Sequence, residues 1–417
     1  MKVGYASLTY GVPETKLRTC TAKNATPEKL EELIGQNLAA LEKIVDYNIQ
    51  NQILFFRISS SLIPFASSPV NQLKWWDLFQ EEFEKIASKI QASGMRVTMH
   101  PGQYTVLNSP DDDIVERAVE DLVYHDRLLS SLGAGKDGKI IFHIGGVYGD
   151  KQAAMARFAA NYRLLPRSIK DRLIIENDDI SYTIEEVLEL SGQTGAPVVY
   201  DNLHNRLNAS DPSKSDAYWI TKAGQTWSND DGKQKIHYSQ QAPDRRAGGH
   251  SRTIHLNEFQ LFYQSLPYDL DIMLEVKDKN LSALKVLHYI EPERGMKGLE
   301  KEWARYKYAV LEHSPVRYQD IRTLLKNKSS YPVLEFYQLI DDALETEKET
   351  GKTRNTLDHV WGYFKNRATE KEKKKYENYL ARFERGTLSA AAVKNLLWSF
   401  AEKYEETYLL QSYFFFM

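Results

Sequence analysis

Five histidines, three carboxylates and a lysine recur in this chain at the ends of short apolar runs. These are residue types that bind divalent cations. His100 closes Thr98-Met99-His100, His143 closes Ile141-Phe142-His143, and Glu176 closes Ile174-Ile175-Glu176. Asp201 ends the Pro197–Asn202 run and leads to His204. Lys235 and His237 share the next run, His250 follows in a loop, and Glu275 precedes Val276-Lys277. A charge or imidazole on a buried apolar strand is costly unless it is paired or bound to metal. Any one of these residues reads as a hydrogen-bonded structural group; the set of eight donors does not. His, Glu and Asp without cysteine suit Zn²⁺, Mn²⁺ or Fe²⁺. Eight donors exceed the needs of one ion, so two or three ions sharing carboxylates are expected. Such clusters cleave phosphodiesters, one ion lowering the pKa of an attacking water while others stabilise charge at phosphorus and the leaving oxygen. Lys235 and His237 lie two apart, so on a strand they point the same way. Asp178 and Asp179 read as loop or helix-cap residues. His125, His288, His313 and His359 fall in helical segments and read as surface or satisfied core groups.

Strands must carry these groups. Eight β-rich runs are legible: Lys2–Ala6, Ile53–Ile58, Met95–His100, Lys139–Ile144, Arg172–Asn177, Pro197–Asn202, Gln234–Ser239 and Asp271–Lys277. Amphipathic segments separate most of them, at roughly 72–93, 111–133, 150–167, 182–195 and 279–289. The first helix is signalled by Thr26 as cap, Pro27 at the first helical position, and a stripe of Leu30, Leu33, Ile34, Leu38, Leu41 and Ile44. Apolar strands alternating with helices imply a parallel sheet covered on both sides. Eight units in about 290 residues predict a (β/α)₈ TIM barrel, with all strand ends meeting on one open face. The approach to the seventh strand, Asp211–Gly232, reads as polar loop. Residues 301–417 hold three glycines, two prolines and no strand. They predict a smaller all-α domain with helices at 301–312, 315–326, 332–349, 354–367, 370–385 and 389–409, and a docked aromatic end, Tyr408–Met417. The division is expected as a barrel over 1–300 and a helical domain over 301–417.

Composition narrows the classes. Of 417 residues, 42% are apolar and 27% charged, which excludes a disordered chain. No run approaches the roughly 20 apolar residues of a membrane span, and the N-terminus lacks a signal-peptide core. A single cysteine, Cys20, excludes a disulfide framework and fits a reducing cytoplasm. Residues 301–417 hold 20 Lys+Arg against 17 Asp+Glu, and residues 1–300 hold 34 against 40. An acidic first part disfavours nucleic acid unless bound metals return positive charge. The loops favour DNA: Gln103-Tyr104 can wedge into a base stack, and Arg245, Arg246 and Arg252 can grip phosphates. Tyr5, at the end of the first strand, is expected on the open face.

The strings Gly4-Tyr5-Ala6, Arg57–Pro64, His100-Pro101-Gly102-Gln103-Tyr104, Ile175–Asp178, Asp201–His204, Leu274–Lys277 and Glu300–Lys307 together resemble the UV damage endonuclease family. The likeness is collinear over about residues 1–312. It implies a barrel related to endonuclease IV and a cluster of two or three divalent ions, usually manganese, with zinc or magnesium as alternatives. It implies incision of double-stranded DNA just 5′ of a UV photoproduct, leaving a 3′-hydroxyl, ahead of downstream repair proteins. By motif the metal ligands are His100, His143, Glu176, Asp201, His204, His237, His250 and Glu275, with Glu176 and Lys235 catalytic and Lys235 at the reacting phosphate. Gln103 and Tyr104 probe the lesion, and Tyr5 is an aromatic at the damaged strand. A histidine common in the family a few residues after Pro64 is missing from Phe65–Pro69, and Ser68 cannot replace it as a base. Asn355–Lys365 and the Leu396–Tyr408 segment resemble a small bacterial helical domain of unknown function. There Asn355, His359 and Lys365 form either a small polar site or part of a capped helix with His359 one turn from Asn355. Two other readings compete: a metal-dependent sugar isomerase or epimerase on the same barrel, and a non-catalytic binder of damaged DNA.

Overall fold

Eight short parallel strands set the architecture in the computed structural model, which describes all 417 residues. They are β1 Val3–Ala6, β2 Phe55–Ile58, β3 Arg96–Met99, β4 Ile140–His143, β5 Leu173–Glu176, β6 Val198–Val199, β7 Lys235–Tyr238 and β8 Asp271–Leu274. The sheet order is β6-β5-β4-β3-β2-β1-β8-β7, every pair parallel. A parallel bridge between Asp201 and His237 brings the two edges together, with His237 N donating to Tyr200 O at 2.9 Å. The result is the expected TIM barrel. Both faces of most strands are buried, which is why they read as continuous apolar runs.

The helices around the barrel follow the periodicity. They are α1 Pro27–Gln50, α2 Gln80–Ser93, α3 Asp112–Ser131, α4 Lys151–Leu164, α5 Ile184–Thr194, α6 Asn202–Leu207, α7 Asp216–Gly224, α8 Leu256–Ser265 and α9 Asn280–Ile290. Thr26 caps α1 by accepting from Lys29 N at 3.3 Å, and the expected stripe is buried. Thr183 and Glu186 form a capping box on α5, worth about 1 kcal/mol. One expectation fails: the stretch Asp211–Gly232 is not all loop. Ser215 accepts from Tyr218 N to start α7, and Trp219, Ile220 and Ala223 bury its inner face. The run is too short and polar overall for its period to stand out.

The chain divides into two compact units: Met1–Ile254 with Gln260–Leu284, and His255–Phe259 with Lys285–Met417. The second contains α10 Gly295–His313, α11 Pro315–Leu324, α12 Val333–Glu345, α13 Thr350–Trp361, α14 Glu370–Glu384, α15 Ala390–Lys403 and α16 Thr407–Leu410. Residue 301 falls inside α10, whose buried positions run from Leu299 to His313. The single helix expected over 389–409 is broken at Tyr404–Glu406, where Glu405 takes a positive φ. Asn355 and His359 are exposed on α13, which starts at Thr350, so Asn355 is no cap. Leu409, Tyr413 and Phe414 are buried, so the aromatic end is docked. A buried lysine anchors it. Lys394 Nζ lies 2.7 Å from Glu312 Oε2, donates to Phe414 O at 2.9 Å, and sits 4.1 Å from the Phe414 ring centre.

This packing has two measurable consequences. A Cβ at Gly4 would collide with Phe55 O, so Gly4→Ala forces β1 from β2 and should cost about 1–3 kcal/mol, read from the urea midpoint. An unchanged midpoint would contradict the close approach. Burial pushes the Lys394 ammonium down to about 8, against the pull of Glu312. The unfolded chain then holds more protons between about pH 8 and the ordinary lysine value. Stability should therefore rise across that window, by up to about 3 kcal/mol relative to Lys394→Met. Urea unfolding of both proteins at pH 7.5 and 10 measures the difference; parallel pH dependence would refute it.

Candidate metal centre

The parallel register delivers the donors to one place. His143 and Glu176 are partners across β4 and β5. His100 follows β3 directly, Asp201 stands two residues beyond β6, and Glu275 one beyond β8. His204 rises from the first turn of α6, where Asp201 Oδ1 caps the helix by accepting from His204 N at 2.8 Å. His250 is held by a bridge with Gln241.

Glu176, 1% exposed, lies at the centre. Its Oε2 is 3.4 Å from His100 Nε2 and 3.5 Å from His143 Nε2, and its Oε1 is 2.7 Å from His237 Nδ1 and 3.6 Å from His204 Nδ1. Glu275 Oε1 is 3.3 Å from His237 Nδ1, and its Oε2 is 3.8 Å from His250 Nε2. Three groups have donor atoms close enough to share an ion: His100, His143 and Glu176; Glu176, Asp201 and His204; Glu176, His237 and Glu275. Glu176 belongs to all three. His250 joins through Glu275.

Electrostatics divide the donors into groups already free to bind cations and groups that must first lose a proton. Burial raises the Glu176 carboxyl, but His237, His143 and His100 outweigh it and hold it well below the usual range. Glu275 is likewise raised by burial and brought well below it by Arg57 and His237. Burial pushes Asp201 up to about 7 despite His204. Burial takes His237 down to about 4, with Lys235 adding to the fall. His204 moves the other way: burial lowers it, and Asp201, Glu176 and Glu275 raise it to about 10. Glu176 Oε2, Asp201 Oδ2 and His143 Nδ1 are buried without a hydrogen-bond partner. Buried polar atoms are rarely left so. The chemistry of the donors and these three orphaned atoms both fit divalent cations.

Groups behind the donors fix them. Asn177 Oδ1 accepts from Asp201 N at 2.9 Å, its Nδ2 donates to Asp201 O, and its carbonyl meets His204 Nδ1 at 2.9 Å. Ser60 Oγ donates to His100 O at 2.8 Å and meets His125 Nε2 at 2.9 Å. His125 is thus a satisfied core group. Arg57 Nη1 lies 2.5 Å from Glu275 Oε1. The residue pattern alone assigned no role to Arg57 or Asn177. A signal was present: each is a polar residue in or just after a buried strand.

One site expectation changes. Tyr5 does not face the open end: it is fully buried, and its hydroxyl bonds Thr9 at 2.7 Å and Asn48 of α1 at 2.8 Å. A strand buried on both faces gives no alternation from which to tell inside from outside. Lys235 lies below the donors, fully buried, its Nζ 3.0 Å from His237 Nε2. Burial, then Arg57 and Arg96, hold its ammonium well below the usual value. Its contact with His237 can hold that imidazole in place.

The rim carries the outward groups. Tyr104 is 85% exposed, and Gln103 lines a cleft of about 300 Å³ with His100, His143 and His204. Ile180, 81% exposed, stands in the same lining on a turn held by Asp178. The Asp178 carboxylate accepts from the backbone of Ile180, Ser181 and Tyr182, so it is a loop residue as expected. Arg245, Arg246 and Arg252 are exposed around His250. Ser68 is held in a turn, accepting from Val70 N.

Glu176→Gln should lower Mn²⁺ affinity by more than about 10-fold, the loss that follows even when only a group behind a ligand is removed. Calorimetric titration of chelator-stripped protein measures it. Wild-type affinity in the variant would sink the shared-carboxylate arrangement.

Comparison with known proteins agrees with this geometry. The family model described as UV-endonuclease UvdE matches residues 1–307, and that of a protein of unknown function, DUF1722, matches residues 307–417. A UV DNA damage endonuclease of Clostridium perfringens is 36% identical over 377 residues, covering 89% of this chain and 90% of its own. One from Bacillus cereus is 31% identical over 279 residues, covering 66% of this chain and 87% of its own. The crystal structure of SacUVDE superposes with a TM-score of 0.66 at 37% identity, covering 70% of this chain and 99% of that one. From its strand-end donors to its collinear match across the barrel, the chain belongs to the UV-endonuclease UvdE family.

Proposed function

We propose that the chain is a metal-dependent hydrolase that incises UV-damaged double-stranded DNA 5′ of the photoproduct and leaves a 3′-hydroxyl. The observation that carries this reading is Glu176, shared by three donor groups at the mouth of a barrel of this family. His100, His143, Glu176, Asp201, His204, His237, His250 and Glu275 would hold two or three divalent ions, manganese before zinc or magnesium. When bound, such ions activate water and stabilise charge on the phosphoryl oxygens.

The chain's own residues do the rest. Tyr104, bare over most of its surface, enters the stack where a photoproduct has already weakened it, and Gln103 beside it takes up the hydrogen bonds of the opened bases. Bending is cheaper at such a step, so lesion and wedge select each other. Arg245 and Arg246 hold backbone phosphates beside His250. Lys235 keeps His237 oriented from beneath, and Arg57 does the same for Glu275.

Nicking of UV-irradiated and unirradiated supercoiled plasmid, with Mn²⁺ or with chelator, tests the reading. Cutting should be confined to irradiated DNA with metal, and polymerase should extend the nick without end-processing. Gln103→Ala with Tyr104→Ala should cut irradiated plasmid at least about 10-fold more slowly, since a base stacked on an aromatic ring is worth about 1–3 kcal/mol. Tight binding to irradiated plasmid with no nick under any metal would replace the enzyme by a damage binder.

A further inference from the structure

The helical unit has a surface that the barrel chemistry does not use. Lys307 on α10 is half-buried and makes no ion pair. The charge bearing on it is a second cation, Arg322 of α11, and burial together with Arg322 pushes its ammonium down. Neighbouring cations find carboxylates: Arg317 with Asp320, Lys328 with Glu300, Arg367 with Glu406. Lys307 and Arg322 instead lie against aromatic rings. Lys307 Nζ is 4.9 Å from the Tyr308 ring centre and 5.9 Å from that of Tyr408, and Arg322 Cζ is 5.6 Å from that of Tyr318.

Those rings form two sets packed against one core, Tyr308 with Tyr363 and Tyr408, and Trp303 with Tyr318. Tyr363 and Tyr408 stack at 5.8 Å with planes 13° apart, the Tyr308 and Tyr363 hydroxyls are 2.9 Å apart, and Trp303 packs on Tyr318 at 5.4 Å. Trp303, Tyr318, Tyr363 and Tyr408 are each only half-buried. Their orientations are therefore set in advance, and their exposed π surface lies beside two uncompensated cations. An acidic peptide would satisfy the cations and leave the rings idle. A duplex offers phosphates but keeps its bases stacked inside. A single strand offers phosphates to the cations and base faces to the rings.

We propose that this face of the helical unit, built by α10, α11, α16 and the turn after α13, binds single-stranded DNA through Lys307 and Arg322 on phosphates and Tyr318 and Tyr408 on bases. The choice of DNA rests on the endonuclease reading above, since incision makes a strand end that can peel from its duplex; the cation and ring geometry does not.

Fluorescence anisotropy of labelled dT20 with the full-length chain tests it, over a series of salt concentrations. Arg322→Glu, at an exposed position, should weaken binding at least tenfold and reduce the salt slope by about 0.7 for each phosphate no longer neutralised. Tyr318→Leu should weaken binding and leave the slope unchanged, the mark of a stacking group. Circular dichroism and melting temperature confirm that both variants fold. Wild-type dT20 affinity in either folded variant overturns the proposal. Competition by poly-glutamate equal to that by unlabelled dT20 also overturns it, in favour of an acidic protein partner. Plasmid nicking by the wild-type chain is scored separately: loss of nicking with dT20 binding intact removes the endonuclease reading and leaves this face as a strand-binding surface.

Discussion

A carboxylate held out of water must be surrounded by positive charge or strong donors, and Glu176 meets that demand with four imidazoles. The demand reaches far into the fold. His100, His143 and His237 come from three different strands or their ends and His204 from the helix after a fourth, so the strands must be parallel and closely in register. A slip by one would turn the donors away from the axis and seat apolar side chains in their place. The strands are short, so the donors at or just past their ends lie above a layer of buried apolar side chains.

Outward from Glu176 the structure passes from fixed to adaptable. Asn177, Ser60 and Arg57 hold ligand-bearing segments by bonds that solvent does not contest. Beyond them Tyr104 and Ile180 stand on loops, almost bare, one after β3 and one after β5. The arrangement assigns rigidity to the groups that must aim at one point and freedom to those that must meet a distorted polymer.

What was legible in the sequence was contrast. His100, His143, Glu176 and Glu275 stood out because their neighbours were apolar, and the barrel followed because eight such runs alternated with helical stripes. Where contrast failed, so did the reading. β1 is apolar on both sides, so Tyr5 could be placed on the wrong face. The helix at Asp216–Gly224 is nine residues long and set in a polar stretch, too little for a period to assert itself. Arg57 and Asn177 act by touching residues 218 and 24 positions away, information that no local window contains. The aromatic face of the helical unit is hidden for the same reason, since separated segments must meet to form it.

The barrel's last seam lies where Asp201 meets His237, the one bridge between β6 and β7. Most other adjoining strands are laced by longer runs of backbone bonds; here the two edges are joined by residues that are also donors. Cations gripped by Asp201 on one edge and His237 on the other would act as a clasp on the cylinder. Ligation and ring closure would then be one event, and resistance to breathing, proteolysis and heat would rise with metal occupancy. A strand pair this thinly stitched would otherwise be the place where the hoop first springs open.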